Sequence, residues 1–305
     1  MVDLTKLATE QRNSNTTGLD TFNPLEIAQA MNDEDANAVA AVRRVLPHVA
    51  TAIRQAADCL KAGGRIVYMG AGTSGRLGVL DAVECPPTFG VDPSVVVGLM
   101  AGGPGVFVKA REGAEDDTEL GKADLQGIEL SEHDFVVGIA ASGRTPYVIG
   151  GLSYARELGC KTAAIACVSD SQIGRVAELA IEPVTGPEVL TGSTRLKAGT
   201  AQKLILNMIS TGAMTLTGRV YQNLMVDLKQ TNEKLHVRAR NIVAEATGCT
   251  AEHAANALKA ADGNVKVAVA SILLGEDAAD AERDLAAVDG HVRSALERAG
   301  KAVPR

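Results

Sequence analysis

The sequence predicts an α/β protein built on a doubly wound parallel sheet with helices on both faces, followed by a small three-helix domain. Three observations carry that expectation. Short apolar runs recur through the middle of the chain without the polar alternation of a half-exposed sheet, helical segments separate them, and beyond Thr247-Gly248-Cys249-Thr250 the pattern becomes wholly helical. Continuously apolar strands are covered on both faces, and strands joined through helices pair in parallel. A chain of 305 residues is also long enough for two domains at about 150 residues each.

The elements follow in order. Through about Asn32 the chain is polar and turn-rich (Arg12-Asn13-Ser14-Asn15-Thr16-Thr17-Gly18), the composition of an arm that is ordered only by packing on something else. From Asp33 to Lys61 Val39, Val42, Leu46, Val49 and Ile53 recur three or four apart, and Gly63-Gly64 ends that helix. Arg65-Ile66-Val67-Tyr68-Met69 reads as a buried strand, followed by glycines and a helix expected to stop before Pro86-Pro87. Residues 95–100 and 135–140 read as the next strands. Thr145-Pro146 then supplies an N-cap and first-turn proline for a helix ending at Gly159. Residues 161–168 and 179–184 complete the sheet, and a helix is expected from about Ser193 through Thr211. Ala254, Ala257, Leu258 and Ala261 form one late stripe, and Val265, Ala268, Val269 and Ile272 a second. A third helix from about Ala278 carries Leu285, Val288, Val292 and Leu296. The expected organisation is an arm and helix (1–56), a sheet domain (57–220), a connecting helix (221–245) and a C-terminal helical cap (246–305).

Composition excludes several classes of function. With 30 Lys and Arg against 37 Asp and Glu, the net charge of −7 opposes nucleic-acid binding, which draws its affinity from cations on phosphates. Without Trp, and with 3% aromatic residues, the chain has few platforms for stacking bases. No apolar run reaches the ~18 residues of a membrane helix, and the opening Met1-Val2-Asp3-Leu4-Thr5-Lys6 lacks the apolar core of a secretory signal. The five cysteines are scattered and never spaced C-x-x-C, so neither a disulfide framework nor a zinc site is expected. A cytoplasmic protein without membrane contact fits these features.

Gly70-Ala71-Gly72-Thr73-Ser74-Gly75 satisfies the G-x-G-x-x-G dinucleotide fingerprint between a strand and a helix. That fingerprint also wants an acidic residue ~20 positions on, where this chain has Ala101-Gly102-Gly103. A phosphate site explains more residues. Ser74-Gly75-Arg76 recurs as Ser142-Gly143-Arg144, again after a buried strand, and Thr191-Gly192-Ser193-Thr194 precedes a further helix. Small hydroxyls and free amides at helix N-termini bind anions. Gly72, Thr73, Ser74, Ser142, Gly143, Thr145, Ser193 and Thr194 are therefore the expected phosphate-binding set. Each hydroxyl taken singly is equally well an N-cap.

These loops resemble the sugar-isomerase (SIS) phosphosugar-binding family over residues 57–219. The longer motifs are Gly70-Ala71-Gly72-Thr73-Ser74-Gly75-Arg76, Glu84-Cys85-Pro86-Pro87-Thr88, Glu112-Gly113-Ala114-Glu115-Asp116 and Ala140-Ala141-Ser142-Gly143-Arg144-Thr145-Pro146-Tyr147. With the run from Thr191 to Lys203, they resemble the N-acetylmuramic acid 6-phosphate etherases. The resemblance implies cleavage of the D-lactyl ether at C3 of that sugar phosphate, by a homodimer using neither metal nor organic cofactor. It also implies two acid–base residues, which map onto Glu84 and Glu115. The glucokinase regulatory protein carries similar loops and only binds phosphosugars. A non-catalytic phosphosugar sensor and a phosphosugar isomerase therefore stand as alternatives, and lactate release discriminates among the three. The C-terminal unit is similar to a ubiquitin-associated-type helical domain.

The implied chemistry is consistent with two glutamates. Alkoxide is a poor leaving group for direct hydrolysis, but opening the sugar ring creates an aldehyde at C1 that acidifies the C2 proton. One base can then remove that proton, while one acid assists departure of lactate and afterwards activates water. Glu84 lies at the end of a helix, facing the negative end of its dipole, a placement suited to a general acid. Glu115 sits in an acidic run with Glu112 and Glu119, and helical spacing does not choose among the three. Lys234, His236, Arg238 and Arg240 read either as a solvated basic face or as a group in which His236 helps open the ring.

Overall fold

The computed structural model describes residues 8–108, 113–230 and 233–302. Helix α1 (Pro24–Lys61) begins nine residues before the expected Asp33, because Asn23 and Glu26 form a capping box with Pro24 in the first turn. Its buried face is also shifted. Ala38, Ala41, Val42, Val45, Val49, Ala52 and Ala56 are buried, whereas Val39 and Leu46 are 53% and 41% exposed. Alanines let this helix approach its neighbours closely, and a pattern drawn only from large residues misses them.

Five parallel strands follow, β1 (Ile66–Gly70), β2 (Val96–Met100), β3 (Phe135–Ile139), β4 (Lys161–Ile165) and β5 (Leu179–Ile181), in the order β2-β1-β3-β4-β5. β1 and β3 are buried throughout. The two strands read as longer stop at Ile165 and Ile181. Beyond Ile165 the chain stays buried but turns away, with the Cys167 amide donating to the Ala141 carbonyl at 2.9 Å. Among the helices, α2 spans Gly72–Phe89, α3 Thr118–Gly127, α4 Pro146–Leu158, α5 Gln172–Val176 and α6 Lys197–Leu216. Helices α3, α4 and α5 pack with the face that carries Val67, Met69 and Val136. On the opposite face Gly78 of α2 lies against Tyr68, while Gly212 of α6 lies against Ile53 of α1. This is the doubly wound arrangement expected.

Further helix boundaries differ from the sequence reading. Among them are the start of α7 (Glu233–Thr247), which follows a hairpin at residues 220–225 where a connecting helix over 221–245 was expected, and those of α2 and α6. α2 runs through Pro86-Pro87 to Phe89. Proline keeps a helical φ, and here the two missing N–H groups remove only the bonds of the last turn, while Gly90 still donates to the Pro86 carbonyl at 3.0 Å. α6 begins at Lys197 rather than near Ser193, because the buried Glu188 carboxylate accepts from the amides of Lys197 (3.2 Å) and Ala198 (3.0 Å) and so caps the helix from outside.

The chain divides into two compact units. One holds the sheet and comprises residues up to Val83 and Pro93–Gly212; the other comprises Glu84–Asp92 and the residues from Ala213 onward. The second unit contains the hairpin β6 (Val220–Tyr221) and β7 (Leu224–Met225), then α7 (Glu233–Thr247), α8 (Ala251–Ala260), α9 (Val265–Leu274), α10 (Ala278–Ala286) and α11 (Val292–Arg298). The last segment, read as one helix, is two. Asp289 (φ 53°) and Gly290 (φ 77°) turn left-handed between them, yet Leu285, Val292 and Leu296 all enter the same core. Among the described residues no helix is long and apolar enough to cross a membrane.

The N-terminal arm packs on residues 187–189. Thr16 donates to the Val189 carbonyl at 2.8 Å and Asn13 to the Pro187 carbonyl at 3.3 Å. Beneath it, Lys197 (2% exposed) meets Glu34 (7%) at 2.5 Å. Burial alone would raise the Glu34 carboxyl, but hydrogen bonds from Lys197, Asn13 and Asn15 outweigh it and hold the pKa at about 2. A depressed carboxylate stabilises the fold fully above its unfolded pKa and loses that contribution as pH falls through the folded one, so the window runs from 4.5 down to about 2. Glu34→Gln is therefore expected to unfold at lower urea than the parent at pH 7, by on the order of 3 kcal/mol, with the gap closing near pH 2. An equal gap at both pH values would contradict this linkage.

Candidate active site

The strand order reverses between β1 and β3, so the loops leaving their carboxyl ends diverge and open a crevice where ligands bind in such sheets. Gly70 pairs with Ile139 in register, which sets the two loops side by side at the same level. In the first, Gly72 opens α2 at φ +52°, and Thr73 and Ser74 occupy its first turn. In the second, Gly143 has φ +70°, and a Cβ there would lie 2.4 Å from the Ser171 Cβ, so no side chain fits. Ser142 and Thr145 flank this glycine and are half-buried, with Thr145 at the N-cap of α4 but making no side-chain capping bond. The Thr145 hydroxyl is thus not consumed as a cap. Tyr147, in the same motif, is buried and donates to Asp124 at 2.7 Å, bracing α4 against α3.

The third loop differs from the other two. Glu188 already occupies the first amides of α6. The Ser193 and Thr194 amides turn back to the carbonyls of Leu190 and Gly192, each at 3.0 Å. What this loop offers an anion is the half-buried hydroxyls of Ser193 and Thr194. α6 nevertheless joins it to the first loop. A Cβ at Gly199 would lie 3.5 Å from Thr73 Cγ2, and Ser74 Oγ donates to Gln202 Oε1 at 3.0 Å.

Arg76 is turned to a structural task. It donates to the carbonyls of Phe107 (2.8 Å) and Val106 (3.0 Å), fixing the turn Pro104–Phe107. Glu115 follows in a 3-10 turn, Ala114–Asp116, packed against α4, and its side chain is exposed. Asp117 caps α3 through the amides of Glu119 (2.9 Å) and Leu120 (3.2 Å). Glu115 therefore does not share a helix face with Glu119, contrary to the helical spacing, and Glu112 lies outside the described residues. The acidic run is thus divided: Asp117 caps, Glu119 lies in the first turn of α3, and Glu115 is left on the turn beside α4.

Glu84 and His236 belong to the second unit. Glu84 is exposed on the last turns of α2, where its carbonyl accepts from Thr88 Oγ1 at 2.7 Å. His236 is exposed on α7, with Nδ1 2.9 Å from Gln230 Oε1. It lines a cavity of about 640 Å³ together with Arg219, Asp227, Lys229 and the N-terminus of α9. Beside it Asp227 pairs with Lys266 at 2.6 Å. Burial pushes that ammonium below its usual pKa, although Asp227 opposes the shift. Sequence reading missed Glu188, Gln202 and the Asp227–Lys266 pair. Only Gln202 left a signal, as a polar residue interrupting the stripe Ala198, Ala201, Ile205, Ile209. Among the described residues no group of three or more His, Cys, Asp or Glu side chains could hold a metal ion.

Over 297 residues the chain is 58% identical to the N-acetylmuramic acid 6-phosphate etherase of Serratia proteamaculans (strain 568), covering 97% of this chain and 100% of that protein. The chain belongs to the N-acetylmuramic acid 6-phosphate etherase family. The etherase of Yersinia pestis (strain Pestoides F) is likewise 58% identical over 295 residues, with 97% and 100% covered. Within this etherase-family chain, residues 122–211 match the SIS domain model. Residues 48–156 match the N-terminal SIS domain of the glucokinase regulatory protein, and residues 222–305 its C-terminal lid domain. A structure from Bacteroides fragilis NCTC 9343, described as that of a candidate phosphosugar isomerase involved in capsule formation, superposes with a TM-score of 0.50 at 18% identity. It covers 66% of this chain and 95% of that one, and at that identity it speaks to the fold alone.

Proposed function

We infer that this protein is a carbon–oxygen lyase that cleaves the D-lactyl ether of N-acetylmuramic acid 6-phosphate. The products are N-acetylglucosamine 6-phosphate and D-lactate, a step in recycling cell-wall amino sugars. The observation that carries this reading is the extent of the likeness: 58% identity over 97% of the chain and the whole length of the relative, spanning both units. The two regulatory-protein domains match only segments of the chain, which favours the enzyme over the sensor.

The crevice beyond β1 and β3 receives the phosphate. Gly72 and Gly143 let the backbone approach it, Thr73, Ser74, Ser142 and Thr145 donate hydroxyl protons, and Ser193 and Thr194 close the third side. Once the sugar ring is open, Glu115 takes the C2 proton and the electron pair shifts toward the C1 aldehyde. The C3–oxygen bond to lactate then breaks, and Glu84 supplies the proton that makes lactate a neutral alcohol on leaving. Water adds at C3, giving a proton to Glu84 while Glu115 returns one to C2, so both carboxyls end as they began. His236 is the group we assign to ring opening.

In this reading the enzyme works as a homodimer in the cytoplasm. The phosphate loops hold few free cations for a substrate carrying both phosphate and carboxylate, and a partner's basic α7 supplies them; a fully active monomer in sedimentation would refute that. Five free cysteines, four of them buried, suit a reducing compartment. The deciding experiment incubates the protein with N-acetylmuramic acid 6-phosphate in heavy-oxygen water. D-lactate is released, and the label appears at C3 of the amino sugar. Label found only in the lactate would mean attack on the lactyl carbon and overturn the elimination route. Absence of lactate release would overturn the function.

A further inference from the structure

We propose that Gln202 is a positioning residue that decides which way Ser74 donates its single hydroxyl proton. The proposal rests on the reading of Ser74 as a phosphate ligand and deepens it. Gln202 is 0% exposed and Ser74 8%, and the Ser74 hydroxyl donates to Gln202 Oε1 at 3.0 Å. The other half of the amide, Nε2, is buried without a hydrogen-bond partner among the described residues. A buried amide N–H left unpaired is destabilising, and its neighbours on the same helix face, Ala198, Ala201, Ile205 and Ile209, are apolar and buried. Packing alone would be better served there by methionine or leucine.

A serine hydroxyl has one proton to give and two lone pairs to receive. With that proton committed to Gln202, Ser74 has none for an anion, and a phosphate only accepts. Turning the Gln202 amide by 180° about its last bond resolves the conflict without moving the backbone, since the oxygen and nitrogen are nearly the same size. Nε2 then donates to Ser74 Oγ, and the serine proton is released toward the phosphate. The resulting chain, amide to hydroxyl to anion, is one in which each hydrogen bond strengthens the next. The turned amide leaves a buried carbonyl oxygen in place of a buried N–H, and an under-used acceptor is the more readily tolerated of the two. The two ends of this amide thus match the two states of the loop, empty and occupied.

A double-mutant cycle tests this with N-acetylglucosamine 6-phosphate as the probe, its dissociation constant measured by calorimetry. Ser74→Ala is expected to weaken binding about 10- to 100-fold, as for loss of one hydrogen bond to a charged group. Gln202→Met, which keeps the volume but removes the amide, is expected to weaken it about tenfold. In the Ser74→Ala background the same change should have no further effect, because no hydroxyl remains to orient. Equal tenfold losses in both backgrounds would mark a packing role and overturn the proposal. If Ser74→Ala weakens binding and Gln202→Met does not, the proposal fails while the phosphate loop stands. If Ser74→Ala changes nothing, both fail together. Should Gln202→Met not fold, the side-chain amide resonances of Gln202 in the 15N-labelled wild type are read instead. They are expected to shift on saturation with the probe, and unchanged resonances would refute the switch.

Discussion

Glu115→Gln is expected to reduce D-lactate release by ~10²–10⁴-fold, the contribution of a general base, and to abolish exchange of the substrate's C2 proton with solvent deuterium. Glutamine keeps the size and polarity of the side chain but cannot take a proton. The fold offers no reason for a wider loss. Glu115 is exposed on its turn, and the neighbouring cap of α3 is made by Asp117. Proton removal from C2 precedes or accompanies every later bond change, so a missing base silences both readouts together. Glu119→Gln is the matched control, in the same acidic run but on the first turn of α3, and is expected to leave lactate release near the parent rate. If the control loses exchange and Glu115→Gln keeps it, the base lies on α3 and the assignment to the turn is wrong.

The fold was largely legible because its strands are continuously apolar, a signal set by burial on both faces. Boundaries were harder wherever a distant group decides them. Glu188 fixes the start of α6 from outside the helix, and no local pattern around Ser193 announces it. The capping box at Asn23 and Glu26, by contrast, was present in the local sequence and sufficed to start α1. Loops rich in Gly, Ser and Thr between strand and helix marked the crevice beyond β1 and β3, since hydroxyls and small residues at that position have a definite physical use. Tertiary pairing stayed hidden. Ser74 and Gln202 are 128 residues apart, and only the packing of α2 against α6 makes them partners. Glu115 stood out from Glu119 only through the resemblance; the turn that separates them follows from Asp117 capping the helix behind it.

Glu84→Gln is expected to reduce lactate release by a similar ~10²–10⁴-fold while leaving measurable exchange of the C2 proton with deuterium. The two glutamates differ in what each makes possible. Removing the C2 proton needs a base and an electron-withdrawing aldehyde, both present in this variant. Expelling lactate from C3 needs a proton donor, because an alkoxide leaves poorly, and an amide side chain does not donate one usefully. The carbanion formed at C2 therefore returns to reactant, picking up deuterium. Structural damage is not expected, since the Glu84 side chain is exposed and the local bond to Thr88 uses its backbone carbonyl. Mass spectrometry of recovered substrate reads the exchange, and an enzymatic D-lactate assay reads the cleavage. Exchange lost in step with lactate release would mean that proton removal and C–O cleavage occur in one event, and the division of labour between the two glutamates would be withdrawn.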